Sequence, residues 1–268
     1  MSGHALAQPH VYRVGLALRS VEVEAVVFDL PGCQCTGHDE AFMRARLPVV
    51  VAEHIAWLDQ HGDVTRDAFP LKVEVVEEVD VATLQDIADG EFCYEDDLRP
   101  AGREDVETAI RRMGYARQDL LAVVRHLPEA VLDWQPPAAA VKVDEWAPEI
   151  RSIRGILQHI AGADGYYARN VGAAPVTGSL GTNAPQDLFE QRHHAVEHLR
   201  SLSGDDLGSL FERRQPWQPE GAEHWTVRKA LRRLISHERF HTKEIEQRLA
   251  WLLIGAPELA DVRAGSVP

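Results

Sequence analysis

Positive charge, cysteine and long apolar runs are all scarce in this sequence. Its 268 residues include 28 Lys+Arg against 42 Asp+Glu, a formal charge of −14. A protein built around phosphate backbones needs a basic stripe, and docking on anionic lipid needs a basic patch. Neither a nucleic-acid nor a membrane partner is therefore expected. Three cysteines are too few for a disulfide framework, and a reducing cytoplasm is the expected location. No apolar stretch approaches the ~18 residues of a membrane span. Met1–His10 has neither a basic nor an apolar leader segment, so no secretory signal is expected. A hydrophobic content of 45% excludes bulk disorder.

The charge is unevenly placed. Residues 1–100 hold 7 basic and 19 acidic side chains, a net of −12, while residues 101–268 hold 21 and 23, a net of −2. The pattern changes at the same point, from short alternating apolar runs to long runs of helical period. Leu98-Arg99-Pro100-Ala101-Gly102 reads as a joint. The expected organisation is an α+β domain over 1–98, a helical domain over 103–255 and a tail over 256–268.

In the first domain, Tyr12–Leu18 and Val21–Leu30 read as a hairpin. Leu30–Gly37 reads as a turn-rich loop. Asp39 can cap a helix to about Gln60, with Pro48 expected to kink or divide it. Leu71–Val79 reads as a third strand and Phe92–Tyr94 as a short edge strand. Glu22, Glu24 and Asp29 read as a solvated strand face. Cys33, Cys35 and His38 are spaced too tightly for a structural zinc site and read as reduced thiols in a turn. Phe28-Asp29-Leu30-Pro31-Gly32-Cys33, Gly37, Ala56-Trp57-Leu58 and His61-Gly62 together resemble the HicB-like antitoxin domain. The resemblance implies a partial RNase-H-like fold that grips a protein partner, and the local acidity suits a basic one.

The second domain shows four amphipathic patterns, Arg103–Leu127, Pro148–Val171, Pro185–Leu202 and Thr226–Leu252, which predict a four-helix bundle. On the last of them His237 and His241 stand four residues apart, on the side that carries Leu234 and Ile245. Two inward imidazoles one turn apart suit a divalent transition ion. His159, at the edge of another helix's apolar stripe, can complete three neutral nitrogen ligands with open positions. Asp164 could orient a ligand, and Glu238 could move a proton. Glu238 also completes an H-E-x-x-H pattern. Arg239 within that pattern, and only 27 residues after His241, argue against a zinc peptidase. His194 and His198 form a second pair four residues apart, but on a polar face, and read as surface histidines. Histidine protonation should weaken metal binding below about pH 6.5.

Trp146, Ile153–Ile160, Trp225–Leu231 and His237-Glu238-Arg239-Phe240-His241 resemble the DinB-like superfamily. That resemblance implies an all-α bundle holding a divalent ion on His159, His237 and His241. Zn²⁺ is the first expectation, with Ni²⁺, Fe²⁺ or Mn²⁺ as alternatives. It further implies a thiol-dependent S-transferase or isomerase using a low-molecular-weight thiol and an electrophile, and a homodimer. Glu238 and Asp164 are the expected catalytic groups. Tyr166, Tyr167, Trp217 and Trp225 read as core or pocket-mouth aromatics. Arg117 and Arg192, in line with apolar positions, are expected to extend their stems to the surface. The competing expectation is a regulatory, partner-binding protein whose metal site is structural.

Overall fold

The computed structural model describes residues 10–19, 22–63, 71–80, 92–137, 148–175, 184–215 and 218–256, without the side chains of 218–221. The chain falls into two compact units, one of Met1–Asp105 with Gly204–Arg232 and one of Val106–Ser203 with Arg233–Pro268. Most of the expected tail, together with Trp146 and Trp217, lies outside the described residues.

The first unit is built on a mixed sheet. Strands β1 (Val11–Leu18), β2 (Val23–Val27) and β3 (Gln34–Gly37) run antiparallel in turn. Helix α1 (Glu40–Gln60) then leads to β4 (Lys72–Asp80), which pairs parallel to β1, giving the order β3-β2-β1-β4. The Asp39 side chain accepts the Phe42 amide at 2.6 Å and so caps α1. Pro48 lies within α1, which is a single helix rather than two. Its buried Leu47, Val50, Val51 and Leu58 hold it through the missing hydrogen bond.

Two expectations about strands are corrected. Gln34–Gly37 is not loop, because its backbone pairs with Val23–Val26 of β2. Phe92–Tyr94 is not a strand. Tyr94 instead enters a 3-10 turn, Glu95–Leu98, and its amide donates to Asp97. The Tyr94 ring, fully buried, covers the sheet face formed by Ala17 and Val26 together with Phe28. On that face Glu24 is buried rather than solvated, accepting from Gln34 at 3.0 Å, and Asp29 is paired with Arg13.

A hairpin that the sequence did not announce, β5 (Phe211–Gln215) and β6 (Gln218–Trp225), completes this unit with the first residues of the last helix. There Arg232 forks onto Asp97 at 2.9 and 2.8 Å and donates to the Phe92 carbonyl. Thr226 caps the helix by accepting the Lys229 amide, and its hydroxyl donates to the Asp97 carbonyl.

The second unit is helical. Its long helices are α2 (Arg103–Val124), α4 (Ile153–Asn170), α5 (Ala184–Ser201) and α7 (Val227–Gly255); α3 (Glu129–Asp133) is short, and α6 (Gly204–Leu207) belongs to the first unit. Ser152 caps α4 through its hydroxyl. Leu120, Ile153, Ile156, Ile160, Leu188, Ile245 and Leu249 share one apolar core. A Cβ on Gly165 would lie 2.5 Å from the Gln191 side chain, so α4 and α5 approach closely there. Among the described residues, no helix is long and apolar enough to cross a membrane.

The tightest site in the first unit is Gly15. A Cβ there would meet Phe28 at 2.5 Å and the Tyr94 ring at 2.7 Å, and both rings are held in the core. Gly15→Ala should therefore cost about 1–3 kcal/mol through overpacking. Denaturant unfolding of the full chain measures it, and an unchanged midpoint would refute the packing described.

Candidate metal centre

Four charged side chains pair with one another in the core of the helical unit, one from each long helix. Arg192 of α5 forks onto Asp164 of α4 at 2.9 and 3.0 Å and also donates to Glu238 of α7. Arg117 of α2 donates to the same Glu238 and, at 3.1 Å, to Asp164. The third nitrogen of each guanidinium is engaged as well: Arg117 reaches the Leu188 carbonyl at 2.7 Å and Arg192 the Met113 carbonyl at 3.1 Å. Asp164 is 3% exposed and Glu238 1%. Burial alone would push Arg192 to lose its proton, but the charges of Asp164 and Glu238 outweigh it and hold the guanidinium ionised. Arg117 and Arg192 thus do not extend to the surface as expected. Inside a core, two positive and two negative groups are stable only as a complete, hydrogen-bonded set.

The three histidines meet beside this cluster. His159 of α4 and His237 of α7 bring their Nε2 atoms to 3.2 Å, and His241 Nε2 lies 3.1 Å from His237 Nε2. Among the described residues this is the group of side chains that could together hold a metal ion. His241 is buried, and the other two are half-buried. The His241 Nδ1–H donates to Glu244 at 2.6 Å, which turns its Nε2 lone pair toward the other two rings. Glu244 in turn lies 3.8 Å from the buried Arg248. Tyr167 packs edge-on to His237, with ring centroids 5.6 Å apart, and Phe240 lies against His241 at 5.1 Å.

This donor set fits a transition ion. Imidazole nitrogens at ~2.0–2.1 Å from one ion stand roughly 2.9–3.4 Å apart in octahedral or tetrahedral geometry. The observed separations of 3.1 and 3.2 Å fall inside that range. Two of the rings, His159 and His237, are also pushed toward the neutral form that a ligand needs. Burial, then the neighbouring His241, pushes His159 down to about 4, with Glu244 opposing. Burial, then His241 and His159, pushes His237 well below the ordinary histidine value, with Arg233 and Arg192 adding to it.

The other candidates lie elsewhere. Asp164 and Glu238 commit oxygens of both carboxylates to the two arginines. His194 and His198 bond to the backbone carbonyls of Ala174 and Val171. Cys33 is buried with its thiol toward the Val50 carbonyl, and Cys35 lies against Met43. Trp225 is fully buried in the first unit under the Lys229 ammonium. Sequence reasoning missed Glu244, although its place three residues after His241 was a usable signal, since such neighbours share a helix face.

The neutral histidines imply a pH effect. Free of metal, His159 stays unprotonated in the folded chain until about pH 4, whereas the unfolded chain takes up its proton near 6.5. Stability is then fully present above that upper value and is lost as pH falls through the window. Metal-stripped protein should lose up to ~3 kcal/mol from this one group between those limits. Denaturant melts at several pH values should show a smaller loss in His159→Gln, and equal slopes in the two proteins would refute the assignment.

No curated protein and no solved structure matches the chain. The sequence does match the family model of the DinB superfamily over residues 112–245. That stretch covers half the sequence and contains the three histidines, the four buried charges and Glu244. The chain belongs to the DinB superfamily.

Proposed function

We propose that residues 103–255 form a four-helix bundle holding a divalent transition ion on His159, His237 and His241. We further propose that this centre serves a thiol-dependent transfer or isomerisation. The observation that carries the reading is the convergence of three imidazole side chains from two helices, with the His237 Nε2 3.2 Å from that of His159 and 3.1 Å from that of His241. Zn²⁺ is the first candidate, with Ni²⁺, Fe²⁺ and Mn²⁺ next, because imidazole suits all of them. Such an ion, when bound, supplies Lewis acidity that lowers the pKa of a thiol enough to make it a nucleophile at neutral pH.

The chain's own residues have separable tasks. The three histidines hold the ion with positions left for small molecules. Glu244 fixes the tautomer of His241. Asp164 and Glu238, bound as they are to Arg117 and Arg192, keep α4 and α7 aligned. A proton-transfer role for either carboxylate requires it to leave a guanidinium first.

Metal analysis on protein purified without a histidine tag is the direct test. Near-stoichiometric metal is expected in the wild type and little in the double variant His159→Ala/His241→Ala. Glu244→Gln should weaken affinity about 10–100-fold in a chelator competition. Full retention by the double variant would overturn the site.

The DinB match does not extend over β1–β4. For that sheet we propose a HicB-like, partial RNase-H-like module that binds a basic protein partner, and a regulatory role for the whole chain is the second reading. The strand order β3-β2-β1-β4, with a helix crossing to a parallel fourth strand, supports it. So do Glu74, Glu78 and Asp80, exposed on the edge strand β4. The two readings separate by experiment. Turnover with a panel of thiols and electrophiles, and no specific partner in a pull-down, is the outcome the enzyme reading expects. A specific partner without turnover favours the regulatory one.

A further inference from the structure

Helix α1 is apolar on both of its sides. Met43, Leu47, Val51 and Leu58 are buried in the first unit. The opposite side carries Phe42, Ala45, Val49 and Ala56, all exposed, with Ala52 half-buried between them. Phe42 is 60% exposed and Val49 52%. A surface helix normally turns a polar side to water, and one that is apolar all round is covered on both sides. The outward residues repeat as a heptad. Phe42, Val49 and Ala56 stand at the a positions, and Ala45 and Ala52 at the d positions between them. This seam runs about 21 Å along the helix axis. The charges beside it are ordered too. Arg46 and Glu53 occupy the e positions, and both are exposed. Among the described residues neither has a hydrogen-bond or ion-pair partner, whereas the neighbouring Arg44 is taken by Glu40 and Glu78.

We propose that this outward face of α1 binds a second copy of the chain, the two α1 helices packing antiparallel about a two-fold axis close to Val49. Charge placement selects this occupant and this orientation. Arg46 and Glu53 stand almost equally far from Val49 on either side of it. Antiparallel pairing therefore sets Arg46 of each copy opposite Glu53 of the other, and the two-fold axis makes the pair twice. Parallel pairing sets Arg46 level with Arg46 and Glu53 level with Glu53, which repel. Charges at e positions fix partner choice and orientation in this way. Size agrees with charge: the bulky Phe42 of each copy comes to the level of the small Ala56 of the other, and Val49 meets its own counterpart. The alanines at d let the helix axes approach closely. A two-fold contact requires a patch complementary to itself, and this face is one. Helix α1 lies outside the DinB-matched residues 112–245, so the contact is separate from that part of the chain. The inference rests on neither reading of the function.

The test uses the tag-free full chain and reads its association by sedimentation over a range of concentrations. Circular dichroism and denaturant unfolding check that each variant folds. The wild type should self-associate reversibly. Val49→Glu sets two like charges beside the axis and should weaken association at least ~100-fold. Arg46→Glu and Glu53→Arg each turn two attractive pairs into two repulsive ones, and each should weaken it about 10-fold. The double variant Arg46→Glu/Glu53→Arg remakes both pairs with the signs exchanged and should return to within about 3-fold of the wild type, a coupling that independent sites do not show. A wild type that stays monomeric up to its solubility limit overturns the inference and leaves the face to a different protein. An association that Val49→Glu leaves unchanged overturns it by placing the contact elsewhere on the chain. Should Val49→Glu not fold, the charge variants decide alone. Association unchanged in both single variants, or lost in them and not recovered in the double variant, overturns the antiparallel contact.

Discussion

The helical unit depends on a set of four buried charges. Asp164 and Glu238 each receive both Arg117 and Arg192, and one of the four residues comes from each long helix. Such a set is a poor source of net stability, because desolvation consumes most of the Coulombic gain. Its effect is on alignment. Removing any one member leaves an uncompensated buried charge at about 3–5 kcal/mol. Every helix must therefore hold its register for the set to close. Asp164 is five residues from His159 on α4, and Glu238 adjoins His237 on α7. A slip of one residue, about 1.5 Å along either axis, would break the ion pairs and pull the ring nitrogens out of ligand range together.

The two halves of that arrangement were unequally legible in the sequence. The histidine triplet could be read, because four-residue spacing on an apolar face is a local signal and His159 stood out among aliphatic neighbours. Its geometry agrees with that reading. The charge set could not be read. Arg117 and Arg192 lay in line with buried positions, but a lone arginine there more often extends its stem outward, and their partners are 121 and 46 residues away from them in Glu238. Pairing at that distance is a property of the packed helices. The two arginine partners of Asp164 were hidden for the same reason. Glu244 was a readable signal that went unused.

In the first unit, periodicity located β1, β2, α1 and β4 within a few residues, because each buries a regular set of apolar side chains. It failed where the backbone rather than the side chains decides. Gln34–Gly37 is short, polar and rich in turn residues, yet it is a strand because β2 offers it a free edge. Phe92–Tyr94 has strand-forming residues, yet Tyr94 is drawn out of the sheet plane to cover the cleft at Gly15 and to meet Asp97. The Glu24 carboxylate looked solvated because alternation put it opposite apolar neighbours, but Tyr94 buries that second face. The β5–β6 hairpin has too few apolar positions to stand out from a loop.

The charge balance around the histidines carries the argument one step further. The two arginines and two carboxylates behind them cancel. Among the described residues, what else lies close to the three nitrogens is the Glu244 carboxylate on His241, itself 3.8 Å from Arg248, and the Arg233 guanidinium beside Tyr167. Imidazole ligates in its neutral form and so gives a divalent ion no compensating charge. An ion held there keeps nearly all of its positive charge in a partly desolvated place, where Coulombic interactions are stronger than in water. Open positions on such an ion would accordingly favour an anionic donor, a thiolate over a thiol. The overall acidity of the chain does not oppose this, because 12 of its 14 net negative charges lie in residues 1–100 and only two in the rest of the sequence. A preference of such an ion for an anion would thus be set locally, by how these helices pair their charges.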